Sequence, residues 1–247
     1  MMMPTPTNAQ SRNSWFRGWT LELKVHKQPI TWLTLLMFVL YLLAIVLGDP
    51  ERPRNVYYFS EMAMFSVAVL LPLLLFQRDI GGGIEVLATY PVSLGQLVIR
   101  KWLLSLLLTV GLGIILMSVY AWFFGGIWTI RHPWNGAEAI PRAEMSVYSL
   151  ILQNLPAYVL LNSLTIVGIV LFRRIYGGLV LGFAVWVMDS LSFGDWLGRW
   201  TLYASYLKKS YSFPQNRIGL LIASLLLLAF AVWLMGRRER WISAEEE

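Results

Sequence analysis

Two carboxylates interrupt otherwise apolar runs of this sequence. Glu61 lies in a run over about 57–76 and Asp189 in a run over about 175–193. An ionisable side chain inside a membrane span is costly, so it marks a proton relay, an ion path or a cargo site by default. Each of these two sits near one end of its run, where a carboxylate reaches water, and that reading outweighs a proton relay. Another run, over about 148–171, carries Asn154, Asn162, Ser163 and Thr165. Such residues more often bond between helices than bind cargo. Gly178 and Gly182 form a GxxxG pair that permits close helix approach. Glu61, Asp189, Gly178 and Gly182 are therefore the candidates for a translocation path or for packing.

Most other chemistries leave no trace. There is no cysteine, which removes disulfides and thiolate metal sites. The two histidines, His26 and His132, lie far apart in the chain. No GxxxxGK[ST], GxSxG, HExxH or EF-hand pattern occurs. No catalytic, cofactor-binding or metal-ligating set is expected in this chain, and it is not expected to be an enzyme.

The segment from Arg78 to Trp102, RDIGGGIEVLATYPVSLGQLVIRKW, is unusually ordered for a membrane loop. Gly81, Gly82 and Gly83 allow a sharp change of direction without a Cβ penalty. Ile80, Ile84 and Leu87 sit at helical spacing, with Glu85 on another face, in the run Glu85-Val86-Leu87. Pro91, followed by Val92, disfavours helix at Tyr90 and ends the run. Ser93 with Gln96 three residues on is a capping-box pattern for the next helix. Arg100 and Lys101 are placed to snorkel at that helix's end. A compact helical elbow over 78–92 is the kind of feature that docks a partner.

The elements that must hold these residues are membrane spans. Of the 247 residues, 57% are hydrophobic and 14% charged, with a mean hydropathy of +0.59. A soluble domain carries about 25% charge. A spanning helix needs about 20 mostly apolar residues. Six are read, over about 30–47, 57–76, 101–124, 148–171, 175–193 and 218–235, in one transmembrane domain covering 1–247. The first exceeds a typical signal-peptide core and lacks a small-x-small cleavage site after it, so it is read as retained. Lysines and arginines number twelve on the side of both termini and eight on the other. The short Arg173-Arg174 turn and the basic tail after 235 then place both termini in the cytoplasm, together with the elbow. The net charge of +6 suits anionic lipid, and the cations flank apolar spans instead of forming the stripe that nucleic acid requires.

Outside the spans, 14–27 pairs Trp15, Trp19 and Leu23 with Arg17, Lys24 and Lys27, which fits an amphipathic interfacial helix. The 125–147 stretch reads as a polar external loop. The 194–217 stretch carries Trp196, Trp200, Tyr203, Tyr206 and Leu207 at roughly helical spacing, as either a short interfacial helix or an aromatic loop. The fold expected is all-α. The two halves do not match in loop pattern, so an inverted-repeat carrier gains no support.

This arrangement resembles the type-2 ABC transporter permeases. The local likeness is carried by Arg78-Asp79-Ile80-Gly81, Glu85-Val86-Leu87, Pro91-Val92-Ser93-Leu94 and Arg100-Lys101. Leu94 stands where the family commonly has Arg, and Arg100 where it commonly has Gly. The resemblance implies the membrane subunit of an exporter in a bacterial cell membrane. Residues 80–92 would be its coupling helix, seated on a separate ATPase subunit present in two copies. A second permease copy or a homologue would complete the assembly, and a further extracytoplasmic subunit could join. ATP and Mg would reside on the partner. Two rival readings are a non-transporting membrane anchor or regulatory module, and an intramembrane enzyme using Glu61 or Asp189.

Overall fold

A computed structural model describes residues 29–80, 93–237 and 241. The expected interfacial helix over 14–27 and the elbow from Gly81 to Val92 lie outside the described residues. The chain is mostly helical. Among the described residues, five helices are long and apolar enough to cross a membrane, and a sixth apolar helix has 17 residues. They are α1 (Pro29–Val46), a π-helix (Tyr58–Ala63) running into α2 (Met64–Arg78), α3 (Leu94–Phe124), α4 (Val147–Phe172), α5 (Ile175–Leu191) and α6 (Phe213–Gly236).

Local chemistry sets the helix ends. The Ser93 side chain accepts from the Gln96 amide at 3.4 Å, so α3 starts at Leu94, well before the apolar boundary near 101. It ends at Gly125, whose φ of 74° needs a residue without a Cβ. At 31 residues α3 is about 46 Å long, more than a hydrocarbon core requires. Ser146 caps α4 in the same way, accepting from the Ser149 amide at 3.2 Å. Arg173, in the left-handed region at φ 54°, turns the chain directly into α5. Pro214 in the first turn lets α6 begin at Phe213, ahead of the apolar boundary near 218.

Two connections differ from expectation. The 125–147 stretch is an antiparallel hairpin of β1 (Trp128–Arg131) and β2 (Ile140–Glu144), so the fold is not purely α. Trp128, Thr129 and Ile130 favour strand, and the Tyr57 hydroxyl donates to the Ile130 carbonyl at 2.6 Å to hold it down. The 194–217 stretch is helical only in a 3₁₀ turn at Gly198–Trp200, up to the start of α6. Short turns within it close on their own backbone, and further backbone groups over 199–205 bond to side chains of the long helices, for reasons given below.

The bundle is built around α2 and α4. Over the π-helix and α2 together, 94% of the most apolar stretch is buried, against 17% in α1, which lies at the edge on α2 and α3. Helix α4 touches α2, α3, α5 and α6. Within lipid there is little hydrophobic drive between helices, so close contact must come from small residues and interhelical hydrogen bonds. Gly178 and Gly182 provide it. A Cβ on Gly178 would stand 2.7 Å from the Thr165 carbonyl oxygen, and one on Gly182 would stand 2.7 Å from Val69 Cγ1. A Cβ on Gly177 would stand 2.6 Å from the Gly168 carbonyl oxygen. Helix α5 thus lies backbone to backbone on α4 and against α2.

Overpacking of this kind costs about 1–3 kcal/mol. Gly182→Leu is expected to lower the thermal unfolding temperature of the purified chain clearly. A leucine at the exposed Val180 of the same helix should leave it unchanged, as read by a fluorescence melting curve in detergent.

Candidate functional site

The connections 47–57, 125–146 and 192–212 share one end of the bundle, the loop-rich end. Glu61 is aimed into this end by the π-helix at the head of α2. A π turn inserts one extra residue and re-aims the side chains around it, often at functional positions. Glu61 has no exposed surface. Its Oε1 accepts from the Ala204 amide at 2.7 Å, and its Oε2 accepts from the Ser205 hydroxyl at 2.5 Å and the Ser205 amide at 3.5 Å. Asp189, at the end of α5, is equally buried. Its Oδ2 accepts from the Leu202 amide at 2.8 Å and the Thr201 hydroxyl at 3.0 Å.

Helix α6 completes the clamp. Arg217, fully buried one turn into α6, donates from Nη1 to the Leu202 carbonyl at 2.9 Å. Asn216 donates to the Arg199 and Thr201 carbonyls at 2.8 and 3.1 Å. Residues 199–205 are therefore held by side chains from three helices, α2 (through its π turn), α5 and α6. Arg217 lies within electrostatic reach of both carboxylates. The surrounding shell is polar too. Tyr158 donates to the Ser60 carbonyl at 2.5 Å, and Gln153 donates to the Tyr57 hydroxyl at 3.0 Å. The Phe65 ring meets the edges of Tyr158 and Tyr203, at centroid distances of 5.8 and 5.0 Å. His132 of the hairpin stacks on Phe213 at 5.0 Å. Burial, and then the Arg217 guanidinium, push its pKa down to about 4, so it is neutral near pH 7.

These positions correct the water-facing reading of the two carboxylates. Both are sealed because 192–212 folds back over them and supplies the donors that a buried carboxylate demands. Glu61 and Asp189 serve the same segment, one through 204–205 and the other through 201–202. With both Glu61 oxygens and Asp189 Oδ2 engaged by backbone amides and hydroxyls, the two carboxylates act as a structural clamp. Among the described residues, no group of three or more His, Asp or Glu could hold a metal ion.

Arg217 and Asn216 escape a reading by hydropathy, which leaves Arg217 as a loop cation. The signal that finds them is Pro214, whose preference for the first helical turn moves the start of α6 ahead of both. Tyr57, Gln153 and Tyr158 carry no local sign of their role.

The opposite end is tied differently. Lys101 does not snorkel; it is 2% exposed. Its ammonium donates to the Leu75 carbonyl, pairs with Asp79 and lies 5.0 Å from the Phe76 ring centroid. A lysine turned inward finds the free carbonyls at the end of α2, which attract a cation. The end of α2 and the start of α3 are thereby joined on both sides of the elbow. Ile80, the one described residue of the proposed coupling helix over 80–92, is partly buried and packs on the core. At the same end Arg173 sits 6.0 Å from the Trp241 ring.

Glu61→Ala would leave the Ala204 and Ser205 amides without their acceptor, at about 1–3 kcal/mol for each buried group. Hydrogen exchange over 199–206 should accelerate about 10- to 100-fold, while exchange in α4 stays slow. Lys101→Met should destabilise the chain by about 3–5 kcal/mol, because it strands the Asp79 carboxylate. Lys101→Met with Asp79→Asn should recover most of that loss in the same melting experiment.

Comparison with family models, curated proteins and solved structures finds no match to this chain.

Proposed function

We propose that this chain is the membrane-spanning subunit of an ATP-driven ABC transporter, working as an exporter. In this reading both termini and the elbow face the cytoplasm, and the loop-rich end faces outward. Two copies of the chain, or one copy and a homologue, sit over two separate ATPase subunits, which hold ATP and Mg. Residues 80–92 form the coupling helix. The elbow sequence and its likeness to that family support this reading. So does the charge distribution. With Lys101 and Arg217 set aside as buried, lysines and arginines still number eleven against seven in favour of the same orientation.

The observation that carries the proposal is that α2 is anchored at both ends. Lys101 ties its elbow end to α3, and Glu61 ties its loop-rich end to residues 204–205. Coupling travels through packed, rigid elements. Displacement of the elbow would move α2 and α3 together and reach the outer segment through one buried helix. Helix α5, packed on α2 through Gly178 and Gly182, would follow. The carboxylates then transmit force, and no chemical step is assigned to them.

Leu87→Pro should break the elbow helix. Membrane insertion and melting temperature should persist, while cargo movement by the reconstituted complex falls to background. Co-purification with a Walker-motif ATPase, lost when 84–91 are altered, is expected from native membranes. Normal transport in the Leu87→Pro complex would overturn the coupling role. An ATPase that binds but moves nothing in vesicles would favour a regulatory membrane module.

A further inference from the structure

We infer that the cradle beneath the β-hairpin is a headgroup site for an anionic phospholipid. The cavity measures about 600 Å³ and lies between the 53–55 stretch, the last turns of α3 and both strands. Arg54 and Arg142 line it from two separate connections, and no carboxylate is among its lining residues. Two neighbouring cavities of the loop-rich end both include Glu138. Neither Arg54 nor Arg142 forms an ion pair with another described residue.

Both arginines are held in place by their backbones. The Arg54 carbonyl accepts from the Tyr120 hydroxyl at 2.7 Å, and the guanidinium lies 5.8 Å from the Tyr58 ring. Arg142 follows Pro141, another lining residue, and takes a left-handed conformation with φ 55°. The Asn55 side-chain oxygen Oδ1 accepts from the Tyr57 amide at 3.1 Å, which leaves the side-chain NH₂ group as a donor beside them. Guanidinium groups match phosphate oxygens in planar, bidentate fashion.

The walls identify a lipid as the occupant. Tyr120, Phe124, Trp128 and Ile130 supply the apolar lining, and Trp128 is 65% exposed. Two residues from Phe124 on α3, Trp122 is 81% exposed. Exposed tryptophans at a span's end mark the headgroup level of a bilayer. The cradle therefore joins a cationic pocket to a lipid-facing aromatic surface at the depth of a phosphate.

The test is native mass spectrometry of the purified full chain in neutral detergent, offered equimolar phosphatidylglycerol and phosphatidylcholine. Phosphatidylglycerol adducts are expected to predominate in the wild type. Arg54→Gln with Arg142→Gln should cut them about tenfold. Arg131→Gln, which removes a cation lining the neighbouring cavity, should leave them unchanged. Equal loss in Arg131→Gln would reduce the effect to general surface charge and overturn the site. Displacement of the lipid by millimolar glycerol phosphate would overturn it in favour of a free-anion pocket. Equal retention of the two lipids by the wild type would overturn it without recourse to any variant.

Discussion

A carboxylate removed from water must find donors, and in this protein the donors of Glu61 belong to a segment more than 140 residues away. That requirement organises the loop-rich end. Because Ala204 and Ser205 answer Glu61, the 192–212 connection lies across the bundle instead of standing in solvent. Once it lies there, its other polar groups are buried and need partners of their own. Asp189 takes the amide of Leu202, Arg217 its carbonyl, and Asn216 the carbonyls of Arg199 and Thr201. Breaking one member leaves the others exposed to the same desolvation cost, so such a network holds or fails as a unit.

The constraint extends down α2. A helix with almost its whole apolar length inside the bundle has no lipid face to slide along. Its two ends are set by charge, with Glu61 at one and the Lys101–Asp79 pair at the other. Between them its sides are filled by α5, brought close by Gly178 and Gly182, and by α4. By contrast α1 and the outer faces of α5 and α6 present large apolar side chains outward, including Leu36, Tyr176 and Leu226. The molecule thus has a densely tied centre and an apolar periphery.

The two connections that depart from a purely helical plan have a common origin. Neither the β1–β2 hairpin nor the 199–205 segment is long or regular enough to satisfy its own backbone. Each borrows side chains from helix ends: Tyr57 for the hairpin, and Glu61, Asp189, Asn216 and Arg217 for the segment. Polar residues near the ends of apolar runs serve here as brackets for loops.

What is local was legible in the chain. Apolar length marks the helices, Ser93 with Gln96 marks where α3 begins, and the Arg173-Arg174 turn marks the α4–α5 hairpin, because capping and hydropathy act over a few residues; Pro214 is a signal of the same local kind that a reading by apolar length passes over. The spacing of Gly178 and Gly182 announces a close approach but not its partner. Which groups meet was not legible. Glu61 with Ser205, Lys101 with Asp79, and the burial of Arg217 join residues 22 to 144 positions apart, or depend on a loop folding back. Burial of a charge is a property of the assembled bundle, since the same glutamate at a helix end would be solvated if the chain beyond it went elsewhere. Composition and pattern thus establish a membrane bundle, and three-dimensional packing turns its few charges from surface groups into the clamps that hold it.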